Sequence, residues 1–182
     1  MGLVDLRIDN ELLFLRLPKP AFKTAADSQL RNAAAALGID VNAIERAAII
    51  DVGVAWFTLQ LRDAEAVSSL KPDFAAIAAL PGSALSGLNV FGFYKDGGPA
   101  DIEVRSFAPA HGIPEDPVCG SGNGCVAAFI QRDDLLERKT YVSSQGRCLG
   151  RDGRVEIRFE DESIWLGGNS VTCVEGTLQV QP

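Results

Sequence analysis

Alternation of apolar and polar residues opens the chain, interrupted at Leu12–Leu15. "LVDLRID" and "ELLFLRL" span residues 3–17, with Asp9-Asn10 between them. That period of two predicts a β-hairpin. Pro18 and Pro20 end it, and "TAADSQLRNAAAALG" then changes to helical composition, with Thr24 or Asp27 as its cap and Gly38 as its stop. A short helix is expected after Asp40. "AAIIDVG" and "AWFTLQL" read as strands meeting at Gly53, and "DAEAVSSL" and "PDFAAIAAL" as two helices, the second opened by Pro72 in its first turn. "GLNVFGFYK" and "DIEVRSFAP" are strands joined by the turn "DGGPA". A helix over residues 121–132 follows. "TYVSSQG", "RVEIRF", "SIWLGG" and "SVTCVEG" close the chain as short strands, the last three as a meander. Many strands with few helices, not strictly alternating, predict an α+β fold rather than a doubly wound sheet.

Composition narrows the function classes. The 182 residues are 47% hydrophobic, enough to bury a core in one or two domains. A net charge of -7 with no Lys/Arg run longer than two residues argues against a nucleic-acid partner. The apolar runs fall well short of the roughly 18 residues of a membrane span. Charge near the N-terminus, in "MGLVDLRIDNELL", does not fit a signal peptide. Cys119, Cys125, Cys148 and Cys173 show no CxxC or paired metal spacing, and His111 is the single histidine, so no metal site is expected. The expectation is a cytoplasmic protein with reduced thiols.

Chemistry concentrates in "EDPVCGSGNGCVAAFI", residues 115–130. Cys125 to Ile130 leave no polar face for nearly two turns, so the helix must be buried all round. Its N-terminal N–H groups then lie inside the protein and need partners. Ser121 or Asn123 can cap part of that need. Gly120, Gly122 and Gly124 let a ligand approach the backbone, and free N–H groups with the helix dipole suit an anion such as a carboxylate. Asp116, held extended by Pro117, is placed to take or deliver a proton. The bland alternative stands beside this one: an ordinary capped turn that Asp116 merely assists. Cys119 sits at the start of the helix, where a thiolate is stabilised, but both it and Cys125 read better as packing. His111 reads as a loop histidine at the surface or at a cleft mouth.

"VRSFAPAHGIPEDPVCGSGNGCVAAF" (Val104–Phe129) resembles the signature of the PhzF-like proteins, relatives of the phenazine biosynthesis isomerase with the diaminopimelate epimerase fold. "YVSSQGRCLGRDGRVEI" (Tyr141–Ile157), "GGNSVTCVEGTL" (Gly167–Leu178) and "DVGVAWFTLQLRDAEAVSSLKPDFAAI" resemble neighbouring family segments. The resemblance implies two similar lobes, each a sheet wrapped round a central buried helix, with the active site between them. It implies proton transfer on small carboxylated metabolites without metal or cofactor. Asp116 and Ser121 fall on the family's active-site Asp and Ser. Gly120, Gly122 and Asn123 would hold substrate, with Gln145 and Gly146 nearby.

Two departures shape the expectation. Family members are longer, and their first lobe carries a catalytic Glu and a substrate-binding Gly-His that find no match here. Residues 1–40 therefore read as the remnant of a first lobe and 41–182 as a complete second lobe whose last strands pair with that remnant. Second, Cys119 stands where many relatives carry Thr. In the distant epimerases a thiol at this place is one of two catalytic cysteines. The expected function is a PhzF-like isomerase or epimerase, impaired or completed by another subunit. The alternative is a non-catalytic module that binds a small acid or dimerises. An apolar hairpin face left uncovered points to a homodimer.

Overall fold

The computed structural model describes residues 3–80 and 85–179. The opening alternation forms strands β1 (Leu6–Asp9) and β2 (Leu12–Arg16), joined at Asn10 and Glu11. Both turn residues have positive φ, the sign that a two-residue hairpin loop needs to match the strands' right-handed twist. After β3 (Ala21–Lys23), helix α1 (Asp27–Leu37) ends at Gly38 in the left-handed conformation. Its cap position is Ala26, rather than Thr24 or Asp27. Alanine offers no oxygen, so Gln29 reaches back to accept from the Ala26 N–H at 2.9 Å, and Asp27 sits in the first turn near the positive end of the dipole.

Strands β4 (Ile44–Asp51) and β5 (Ala55–Leu61) form the next hairpin around Gly53. Helices α2 (Ala64–Ser68) and α3 (Phe74–Ala78) are single turns capped by Asp63 and Asp73. Pro72 therefore precedes the cap of α3 instead of lying in its first turn. The remaining elements are β6 (Leu85–Phe93), β7 (Ile102–Ala108), β8 (Ile113–Asp116), α4 (Gly120–Arg132), β9 (Thr140–Gln145), β10 (Gly153–Glu160) and β11 (Ser163–Gly168). β8 was not foreseen in the sequence. "SVTCVEG" is not a strand: β11 pairs with β10 on one side and β2 on the other, so no edge beside it is open to the chain that follows.

The strands join in one sheet of order β1-β2-β11-β10-β9-β7-β6-β5-β4-β3, with β8 on β7. Most neighbours are antiparallel, but β5–β6 and β7–β9 are parallel. The sheet is packed round α4. Cys125 to Ile130 are all buried against Ile50, Trp56, Phe91, Val104, Ile157 and Leu166, drawn from β4, β5, β6, β7, β10 and β11. Each large side chain so buried contributes about 1.5–3 kcal/mol, which explains a helix with no polar stripe. A second cluster, Leu37, Phe57, Leu59, Val67, Ile77, Leu88 and Phe107, packs α1, α2 and α3 on the other face of β5–β7.

One fork in this sheet positions the site. β9 pairs with the first half of β7, at Ile102, Glu103 and Val104, and β8 with its second half, at Ser106 and Ala108. The chain leaves β8 at Asp116 and enters α4 in the gap between β8 and β9.

Candidate functional site

The first turn of α4 lies at this fork, and buried amides hold it there. The cap is neither Ser121 nor Asn123 but Cys119, whose Sγ accepts from the Gly122 N–H at 3.3 Å. Asn123 is buried, and its amide turns inward. Nδ2 donates to the Cys119 carbonyl at 2.9 Å and to Gln145 Oε1 at 2.7 Å, while Oδ1 accepts from Ser143. Gln145 closes the fork. Its Oε1 also accepts from the Cys119 N–H at 3.0 Å, and its Nε2 donates to the Asp116 carbonyl at 2.8 Å and to Ser106 Oγ at 3.3 Å. Ser106 in turn donates to Asn89 Oδ1, and Asn89 Nδ2 donates to the Gly122 carbonyl at 2.7 Å. The network engages buried donors and acceptors that would otherwise cost about 1–3 kcal/mol each.

The glycines divide by role. A side chain at Gly122 would come within 2.6 Å of Ser106 Oγ, and one at Gly124 within 2.8 Å of Leu17, so both positions are shaped by packing. Gly120 alone of the three faces open space. Gly146 has φ near +94°, and a Cβ there would lie 2.6 Å from the Pro117 carbonyl, so this glycine lets β9 lie close to the Asp116–Pro117 segment.

Among the described residues nothing accepts from the N–H groups of Gly120 and Ser121. Both residues line a cleft of about 420 Å³, whose other walls include Leu3, Asp5, Arg16, Lys19 and Val54. Arg16 pairs with Asp5 at 2.8 Å, while Lys19 has no ion pair among the described residues. Ser121 Oγ accepts from Trp56 Nε1 at 3.0 Å. Asp116 is half-buried; its Oδ1 accepts from the Val118 N–H at 3.0 Å, a turn that spans Pro117.

Glu115, the other acid of the motif, is structural. Arg105 grips it through two hydrogen bonds, at 2.9 and 2.8 Å, and donates to the Leu70 carbonyl at 2.9 Å. The two side chains are only 6% and 4% exposed, so the pair fixes β8 onto β7.

Burial shifts both thiols of the motif upward. Burial pushes the Cys119 thiol up and outweighs the Gly122 N–H and Ser121 hydroxyl that favour the thiolate; Asp116 pushes the same way as burial. Desolvation thus outweighs the stabilisation that a helix start gives a thiolate, in keeping with the reading of Cys119 as packing. Cys125 donates to the Ile50 carbonyl at 3.3 Å, and burial pushes it up to about 12. His111 is exposed and borders a separate small cavity beside Ile77 and Leu85, which Asp116 does not line. Among the described residues no group of three or more His, Cys, Asp or Glu is placed to hold a metal ion, and no helix is long and apolar enough to cross a membrane.

Sequence reasoning missed Trp56, Asn89, Ser106 and Arg105. Asn89 and Ser106 carried a signal, as polar residues inside the apolar strands "GLNVFGF" and "VRSFA". Trp56 carried none, because an indole in an apolar strand reads as core.

A buried helix ringed by a mixed sheet, with its N-terminus at a cleft, defines an α+β protein of epimerase-like fold. The chain belongs to the phenazine biosynthesis-like protein family, whose profile matches residues 4–176. It is 35% identical over 145 residues to an uncharacterized isomerase of Schizosaccharomyces pombe, covering 72% of this chain and 75% of that one. Among solved structures it is similar to the Bacillus anthracis phenazine biosynthesis protein of the PhzF family, with a TM-score of 0.74 and 18% identity over 91% of this chain and 61% of the other. It is also similar to a Pseudomonas aeruginosa protein described as a "Predicted Epimerase", with a TM-score of 0.67 and 23% identity over 91% and 58%. At these identities the structural likeness is one of fold. The chain also spans 63% and 55% of the length of two further curated relatives.

Proposed function

We propose that this chain is a PhzF-like isomerase or epimerase that moves a proton on a small carboxylated metabolite without metal or organic cofactor. The substrate carboxylate sits on the N–H groups of Gly120 and Ser121, where the dipole of the 13-residue helix α4 favours negative charge. Asp116 takes a proton from the carbon next to the carboxylate. The electron pair left behind spreads into the carboxylate, whose growing charge the same amides stabilise, and the proton then returns to carbon. Gly122, Asn123, Gln145 and Gly146 act one layer back, by fixing the mouth rather than by touching substrate.

The observation that carries this reading is the pair of unpartnered amides at a cleft that reaches them; Asp116, four residues earlier at the end of β8, is not among the residues that line this cleft. Co-crystallisation with malonate tests it. Density for a carboxylate on the Gly120 and Ser121 amides is expected, and solvent alone there at high malonate concentration contradicts the reading.

A second reading, a module that binds a small acid or dimerises without turnover, is favoured by the hairpin. Leu6, Ile8 and Leu13 are exposed on it, and β1 is the outermost strand of the sheet. On either reading the proposed assembly is a homodimer that covers this face in the cytoplasm.

A further inference from the structure

We infer that Trp56 is a positioning residue for Ser121, aiming the serine hydroxyl into the cleft as a third donor for the carboxylate. This rests on the carboxylate reading above. Trp56 stands on β5, is 4% exposed and packs in the cluster around α4. Its Nε1–H donates to Ser121 Oγ at 3.0 Å. An indole N–H has no lone pair to offer, so it occupies the serine oxygen and cannot take the serine proton. That proton must point elsewhere.

The other nearby group is Cys119 Sγ, at 3.7 Å from Ser121 Oγ. This sulfur already accepts from the Gly122 N–H. Burial keeps it a neutral thiol, which has a hydrogen of its own to place, and Ser121 Oγ is within its reach. Either atom of the Cys119–Ser121 contact can be the donor; with the thiol donating, the Ser121 oxygen receives from both Trp56 and Cys119 and its proton is directed to the open side. That side is the cleft lined by Gly120 and Ser121. Three donors then converge on one anion: two amides and a hydroxyl.

The indole is itself clamped. Trp56 lies opposite Ile50 in the ladder, and a side chain at Gly87 would come to 3.0 Å of its ring, so the ring occupies the space that glycine leaves. A rigid donor behind a serine is a preorganised device, since the hydroxyl does not have to be reoriented when the anion arrives.

The chain holds two tryptophans, so an ¹⁵N-labelled sample of the full chain gives two indole signals, from Trp56 and Trp165. Titration with acetate is expected to move the Trp56 signal and leave that of Trp165 in place. Trp56→Phe is expected to weaken acetate binding roughly tenfold, as for loss of one charge-assisted hydrogen bond, and Ser121→Ala by a similar factor. The double variant should bind no more weakly than Ser121→Ala alone, because Trp56 acts through that hydroxyl. Ser121→Ala should also shift the Trp56 indole signal without acetate, a check that does not need Trp56→Phe to fold. Wild-type affinity in Trp56→Phe, losses that add in the double variant, or an unmoved indole signal in Ser121→Ala would overturn the inference alone. A wild-type protein that binds no acetate overturns the carboxylate reading and takes this inference with it.

Discussion

Gln145 and Asp116 are joined across the fork in the sheet: the amide Nε2 of Gln145 donates to the Asp116 carbonyl at 2.8 Å. The same side chain accepts from the Cys119 N–H and from Asn123, so one buried residue ties the acid to the helix it serves. Gln145→Met keeps the length but takes the partner from the Cys119 N–H and one hydrogen bond each from the Asp116 carbonyl and from Asn123, which keeps its bonds to Cys119 and Ser143. It is expected to destabilise the fold by about 2–4 kcal/mol in urea unfolding, since buried polar groups lose protein partners. A loss below about 1 kcal/mol would mean that water or another group replaces Gln145.

Arg105 and Glu115 support the same place from below. Removing one partner strands a buried charge, so Glu115→Gln and Arg105→Met are each expected to cost about 3–5 kcal/mol. Replacing both together should cost less than either alone, because neither charge is then stranded. Chemical denaturation of the three variants checks this, and simple additivity would show that the pair is not coupled.

Alkali should destabilise the fold through its thiols. Burial pushes Cys125 up to about 12 from its ordinary 9.0, so the folded protein keeps a proton that the unfolded chain loses first. Below about pH 9 both states hold it and stability is unchanged; above that, this group removes about 1.4 kcal/mol per pH unit until about pH 12. Cys119 and Tyr141 are also shifted up by burial and add to the loss. Urea midpoints measured from about pH 8 to about pH 11 should fall, and Cys125→Ala should flatten the slope. An unchanged slope in that variant would remove Cys125 from the explanation.

The hairpin should control assembly. Leu6 and Ile8 are 62% and 79% exposed on the edge strand, beside Leu13. Sedimentation of the wild type is expected to give twice the chain mass of 19.4 kDa, and Ile8→Lys to give the monomer. A wild-type monomer at micromolar concentration contradicts the dimer.

Much of the fold was legible because the relevant signals are local. The alternation of residues 3–17 specified the hairpin, and Cys125 to Ile130, apolar on every side, specified a helix that must be buried all round, here by the sheet. What was not legible depends on contacts far apart in sequence. "SVTCVEG" has the composition of a strand, but whether it pairs is decided by β2, some 150 positions earlier, which already occupies the edge of β11. The cap of α4 was misassigned because Ser121 and Asn123 are better capping residues than Cys119. Trp56 and Gln145 claim those two side chains from distant strands and leave the sulfur to cap the helix. Asp116 and the open amide of Gly120 stood out in the sequence, whereas the layer behind them did not, since a buried Gln or Trp looks no different from its neighbours until its partners are known.

The most direct measurement is exchange of carbon-bound hydrogen with deuterated solvent. A panel of small carboxylic acids, each with a hydrogen on the carbon next to the carboxylate, is incubated with the protein in D₂O and followed by proton NMR. The wild type is expected to catalyse loss of that signal for at least one member, and Asp116→Asn to slow it by roughly a hundredfold or more, as for removal of a general base. Equal exchange in the two proteins, or none in the wild type with any member, would contradict proton transfer by Asp116 at the mouth of α4.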